Sequence, residues 1–261
     1  MRRVILVLLL SICCVAGAHA GAWTLPRGHW QNFTAATTSQ ADRSFDSAGR
    51  ARVPAKFNKL LLQNCYEYGL TNALTLFAIP AYVIADVRTP SSALMHVQNS
   101  SVEAGARLAL LAHHGRLSMQ VSYKTAGAFD LSVSANHDSG RQIEFRLLYG
   151  TSFELLGRDG FVDFQVAERW INHPRPNETP VDLTAGLWLR QDTMIMVQSF
   201  NIFSGGDAVV PYSYYRTHKL ELSVVERLSQ HWSLQTSVFY SPAGQNALVE
   251  RGISVALWTQ T

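Results

Sequence analysis

Apolar and polar residues alternate along most of this chain with a period of two. From Arg116 to Lys124, one side carries Leu117, Met119, Val121 and Tyr123, and the other carries Arg116, Ser118, Gln120, Ser122 and Lys124. From His231 to Tyr240 the sets are Trp232, Leu234, Thr236, Val238 and Tyr240 against His231, Ser233, Gln235, Ser237 and Phe239. Between Glu144 and Leu155, Phe145, Leu147, Tyr149, Phe153 and Leu155 oppose Glu144, Arg146, Gly150, Ser152 and Glu154, with Leu148 as the exception. A helical period would gather Arg116, Gln120 and Lys124 but scatter the apolar set around the axis, so the pattern reads as strands with one apolar face.

Carried along the chain, the pattern predicts twelve strands near 27–39, 57–68, 73–86, 100–112, 115–125, 142–155, 159–170, 181–190, 193–203, 213–227, 230–241 and 248–259. Short connections, such as Gly69-Leu70-Thr71-Asn72 and Gln191-Asp192, alternate strictly with longer polar or Pro/Gly-rich ones at 40–56, 87–99, 126–141, 171–180, 204–212 and 242–247. The fold class expected is all-β, a transmembrane antiparallel up-and-down β-barrel of about 12 strands. Its short turns and both termini lie on the periplasmic side and its long loops outside. A soluble sandwich or ligand-holding barrel would alternate too, but eight strands already enclose as much space as side chains fill. The polar faces also hold Glu103, Arg107, Glu144, Arg146, Asp182, Arg190, Lys219 and Glu221 within strands. Aromatics recur near strand ends, among them Trp30, Tyr66, Tyr68, Tyr82, Trp170, Tyr212, Tyr214, Tyr215, Trp232, Tyr240 and Trp258, as interfacial girdles require.

The first twenty residues follow a different rule. Arg2 and Arg3 precede an apolar run from Val4 to Val15, and Ala18-His19-Ala20 stands before Gly21. This is the layout of a secretory signal peptide at 1–20, leaving 21–261 as the barrel. Removal takes Cys13 and Cys14 with it, so Cys65 stands alone and no internal disulfide forms. It also lowers the basic count from 22 to 20 against 19 acidic residues, which leaves no charge excess of the kind a nucleic-acid surface needs. With 47% hydrophobic and 16% charged residues the chain is too apolar for a disordered polymer. Past Gly21 no uninterrupted apolar stretch reaches the length of a transmembrane helix, whereas a closed barrel needs none.

Several segments resemble one group of proteins: Gly21-Ala-Trp-Thr-Leu-Pro-Arg-Gly28, Glu67-Tyr-Gly-Leu-Thr-Asn-Ala-Leu-Thr-Leu76 with Pro80-Ala-Tyr82, Phe145-Arg-Leu-Leu-Tyr-Gly150, Gly160-Phe-Val-Asp163, Gly186 through Phe200, and Arg251-Gly-Ile-Ser-Val-Ala-Leu-Trp258. Together they resemble the XagA-like Gram-negative outer-membrane β-barrels and, more loosely, outer-membrane transporters associated with phenol-degradation pathways. The resemblance implies a barrel of porin or transporter type, with a link to surface polysaccharide, and carries over no functional residues. The chain departs from many such barrels in ending Trp258-Thr-Gln-Thr261 rather than on an aromatic.

Candidate chemistry is sparse. Asn136-His137-Asp138-Ser139-Gly140-Arg141 looks like the His/Ser segment of outer-membrane phospholipases, and His137 and Ser139 at spacing two share a strand face. The following strand, however, offers Ile143, Glu144, Phe145 and Arg146 and no Asn to orient the imidazole. His113-His114 points two ways in extended chain, and Ser204-Gly205-Gly206-Asp207 lacks a phosphate loop's lysine. Glu67, Glu103 and Asp163 have Arg107, Arg116 and Arg146 as candidate partners, which favours a salt-bridge network over paired catalytic acids. No cofactor or metal is implied.

The lumen-lining candidates are therefore Glu103, Arg107, Glu144, Arg146, Lys219 and Glu221. The function expected is a channel or facilitator for small solutes in the cell outer membrane, surrounded by its lipid and inserted by the assembly machinery. The alternatives are an envelope barrel presenting loops to a polysaccharide and, third, a His137/Ser139 lipase. If the long connections face outward, an epitope inserted after Ser47 or Ser139 leaves assembly intact and is detected on whole cells. Detection only after the outer membrane is permeabilised would invert the topology.

Overall fold

The computed structural model describes residues 21–88, 95–111, 115–125, 141–172, 175–205 and 214–261. These form β1 (Trp30–Phe45), β2 (Ala51–Gly69), β3 (Leu74–Arg88), β4 (Met95–Leu111), β5 (Arg116–Lys124), β6 (Gln142–Leu155), β7 (Arg158–Ile171), β8 (Glu178–Trp188), β9 (Thr193–Ser204), β10 (Arg216–Arg227), β11 (Trp232–Gln245) and β12 (Arg251–Gln260). Each strand pairs antiparallel with the next, and β1 pairs with β12, so the sheet closes into a barrel of twelve strands. Ala35 sits in register with Gln63 on one side and Ala256 on the other. Closure leaves no strand edge unpaired, the condition a sheet must meet to sit in hydrocarbon.

The alternation read from the sequence becomes two faces. Outward-pointing Leu147 and Leu234 are 40% and 36% exposed, whereas inward-pointing Gln235 is 5% and Ser118 0% exposed. Val121, Val197, Leu220, Leu222, Val238 and Ile253 extend the outward set around the wall. A continuous apolar exterior over a polar interior inverts a water-soluble protein and suits a lipid surround. Trp30, stacked on Tyr66, joins Tyr68 and Trp232 at the end that holds the chain termini, and Tyr123, Trp170 and Tyr240 lie toward the other.

The strands run further than expected at the long-loop end. The connection read at 40–56 is mostly strand, leaving a turn from Asp46 to Arg50, and β11 continues to Gln245. There the outward residues Gln40, Asp42 and Asn58 are polar, so the alternation that betrays a strand fades before the hydrogen-bond ladder ends. Within the turn, the Asp46 carboxylate accepts from the Arg50 and Ala48 backbone amides and pairs with Arg50 and Arg52. The Arg50 amide leads these partners in holding its pKa down at about 2. Arg190, expected within a strand, lies in the turn after β8. Tyr215 and Trp258, expected in the girdles, point inward. The segments 112–114, 126–140 and 206–213, which include His113-His114, His137, Ser139 and Tyr212, lie outside the described residues.

One strip of the wall is less apolar. On β1 the outward side carries Thr34, Ala36 and Thr38, and Asn64 Nδ2 donates to Thr34 Oγ1 at 2.7 Å. A groove of about 600 Å³ runs over it, bordered by Leu62, Tyr82, Val102, Leu234 and Val255.

Arginine in place of Leu147, which is flanked by Met119 and Val166 in mid-wall, should lower stability in lipid vesicles by about 2–4 kcal/mol. Arginine at Glu154, near the end of β6, should change it by less than about 0.5 kcal/mol. Urea titration followed by heat-modifiable gel migration measures both. Equal, small effects would mean that Leu147 does not meet lipid.

Candidate functional site

Twelve strands enclose more space than their own inward side chains fill, and the chain puts other segments there. Residues 21–29 leave the start of β1 and turn back into the lumen from the terminal end. Pro26 and Gly28 make this a turn rather than a strand. His29 N donates to Pro26 O, Gly28 N to Gly69 O, and Gly69 N back to His29 O. Above the turn, Arg27 N and Leu25 N donate to Asn72 Oδ1 and Thr75 Oγ1 at 2.9 and 2.8 Å. Ser118 Oγ donates to Ala22 O, and Arg107 Nη1 donates to Trp23 O at 3.1 Å. The side chain of Trp23 packs edge-on to Phe161, ring centres 6.0 Å apart, against a buried cluster of Phe161, Met194, Met196 and Val225. A Cβ on Gly150 would stand 2.4 Å from the Trp23 ring, so only glycine at that position leaves the indole its place. The segment is a plug, tethered at its base and held along its length by groups from several strands.

Around the tip of the plug the inward charges form one network. Glu144 and Arg169 are cross-strand neighbours, as are Arg169 and Glu178, so three charges of alternating sign stand in a row over β6, β7 and β8. Glu144 holds both Arg146 and Arg169 at 2.7 Å. Arg146 reaches across β7 to Asp182 at 2.7 Å and to Gln165 Oε1 at 2.8 Å. Glu178 closes the row by pairing with Arg169 and accepting from the Tyr215 hydroxyl. On the far side of the plug Arg107 pairs with Glu67 at 2.8 Å and donates to Gln120, while Gln31 Nε2 donates to Glu67. With each guanidinium engaged at more than one edge, the network is rigid as well as neutralising.

A second inward-folded segment lies at the long-loop end. The segment after β11 dips inward, burying Leu248 against Ala41, Phe57, Ala85 and Val87. Glu250 then joins Lys59 of β2 at 2.7 Å to Lys219 of β10 at 3.1 Å and accepts from Ser39 Oγ. Lys219 also sits 4.4 Å over the Phe239 ring. Between plug and wall remains a cavity of about 330 Å³ bordered by Gly21, Glu103, Arg107, Arg146, Asp182 and Trp258, among others.

All six sequence candidates fall on the inward face, but they do not form one ring. Glu103, Arg107, Glu144 and Arg146 border the cavity, Lys219 belongs to the contacts around Glu250 at the long-loop end, and among the described residues Glu221 accepts a 3.3 Å contact from Ser223 Oγ. Arg116, proposed as a partner for the acids, is exposed at the start of its strand; Arg107 serves Glu67 instead. The candidates omit Trp23, Gln120, Arg169 and Glu250. The signal for Trp23 was available: a large aromatic in a Pro- and Gly-containing stretch before the first strand must be buried somewhere. Among the described residues no three His, Cys, Asp or Glu side chains are grouped to hold a metal ion.

No family model and no curated protein matches the sequence. Among solved structures the chain is similar to an outer membrane channel from Pseudomonas putida F1, with TM-score 0.70 and 15% identity over 92% of this chain and 98% of that one. It is also similar to the translocator domain of the autotransporter NalP from Neisseria meningitidis, with TM-score 0.56 and 11% identity over 91% and 90% of the two chains. At these identities the likeness is one of fold, and the fold is the closed barrel of outer-membrane proteins.

Replacing Glu144 by Gln removes the acid shared by two arginines and should cost about 3 kcal/mol. Replacing Glu221, which among the described residues has one weak contact, should cost less than about 0.5 kcal/mol. Unfolding in urea distinguishes them. Equal costs would mean that the Glu144 charges are screened by bulk water.

Proposed function

We propose that this protein is an outer-membrane channel for small polar solutes, exported by a signal peptide at 1–20 and inserted with both termini in the periplasm. The observation that carries the reading is the lumen. A barrel serving only as an anchor could be built from fewer strands with a filled core. Here the wall surrounds a charged cavity, and the periplasmic end is stopped by a segment that is not part of the wall. The plug's backbone groups rest on Thr75, Asn72, Ser118 and Arg107, partners that water can replace. Opening therefore needs displacement of residues 21–29 and leaves the strand ladder intact. The fold's likeness to a channel of Pseudomonas putida F1 points the same way.

The lining chemistry narrows the cargo. Acids and arginines alternate around the cavity, which favours polar solutes carrying both donors and acceptors over a single ion type. The connected network holds more carboxylates than guanidinium groups, giving a weak preference for cations. The XagA-like resemblance favours a link to surface polysaccharide; in that second reading the long loops bind the polymer and the barrel holds them at the surface.

Planar bilayers test the channel. The intact protein should conduct weakly or intermittently, and a chain lacking Ala22–Pro26, or carrying Trp23→Ala, should show steady conductance several-fold higher. Silence from all three would sink the channel and leave the loop-presenting barrel.

A further inference from the structure

Among the described residues, no ion pair gives the buried carboxylate of Asp163 a cation of its own. It is 1% exposed, and its oxygens accept from the Ala22 amide at 2.8 Å and from Gln165 Nε2 at 2.6 Å. The arginines of its network are engaged elsewhere: Arg107 with Glu67, Arg146 with Glu144 and Asp182, and Arg169 with Glu144 and Glu178. Counted with Asp163, that network sets five carboxylates against three guanidinium groups, and six carboxylates against four cations once the cross-strand neighbours Glu103 and Lys124 are added. A buried acid short of counter-charge is costly, so a further cation at this spot would stabilise the site.

Gly21 stands at a place from which such a cation could come. It is buried, and a Cβ built on it would lie 2.3 Å from Asp163 Oδ2. Space alone restricts this position to glycine. By covalent geometry the Gly21 nitrogen stands within about 5 Å of the same carboxylate oxygen.

We infer that hydrolysis of the Ala20–Gly21 bond creates the missing cation, and that the freed α-ammonium of Gly21 docks on Asp163 and fastens the plug to β7. Water adds across the amide, leaving a carboxylate on Ala20 and an ammonium on Gly21. The peptidase that removes the export signal thus also turns the tip of the plug from a neutral amide into a positive charge beside a buried acid. Asp163 becomes the receptor for the mature N-terminus, and the lumen is completed only after processing. This rests on the reading of residues 1–20 as an export signal but not on conduction.

Mass spectrometry of protein purified from outer membranes should find Gly21 as the first residue. Near pH 7 an amine-reactive ester prefers α-amines to lysine ammonium groups, whose ordinary pKa is about 10.4. Labelling of Gly21 in the folded protein should be at least tenfold slower than in urea. Asp163→Asn should restore fast labelling. Two serines inserted between Ala20 and Gly21 should do the same with Asp163 intact, which keeps the test decisive if the Asn variant fails to fold. Fast labelling of folded wild type, slow labelling of both variants, or a mature chain beginning elsewhere would each overturn the docking. Conductance in bilayers is read separately, so a protected N-terminus in a silent barrel would defeat the channel and leave the docking standing.

Discussion

The pairing of β1 with β12 governs everything inside the wall. It removes the last two sheet edges, so the strands need nothing from solvent or from a covering layer to satisfy their backbones. It also fixes the diameter. Twelve strands leave a lumen that inward side chains line but do not fill, and the apolar face is turned outward, where it cannot help to fill the interior. Whatever fills the interior must come from segments outside the strands or from charged side chains long enough to reach one another across it.

Both devices are present, and each supports the other. The plug offers backbone carbonyls of Ala22 and Trp23, and Ser118 and Arg107 donate to them. Arg107 is in turn aligned by Glu67 and Gln120. The charged row over β6, β7 and β8 is aligned through cross-strand registers that closure makes rigid. The inward segment at the long-loop end has a different construction, an apolar patch under Leu248 with Glu250 between two lysines. The backbone segments at the two ends, 21–29 and 246–250, lie outside the twelve strands.

The fold was largely legible because its information is local. All twelve strands and both faces of β5, β6 and β11 follow from alternation, and even Leu148, the exception in β6, turns inward as its position demands. The strand ends at the loop side were not legible, because Gln40, Asp42 and Asn58 interrupt the apolar signal while the ladder continues. The site was legible only as a list. Glu144 and Arg146 were visible as inward charges, but Arg169 and Glu250 became important only through partners on other strands.

The sequence by itself determined an antiparallel barrel of about twelve strands and, along most of them, the side of the wall on which a residue stands, since a period of two depends only on neighbours along the chain. Tertiary structure decided which charges meet and what fills the lumen. Glu67 and Arg107 lie on strands separated by β3, Arg146 and Asp182 on strands separated by β7, and Ala22, ahead of β1, meets Asp163 of β7 across 141 positions of sequence. Those distances depend on the diameter and stagger that closure imposes, and no local pattern encodes them.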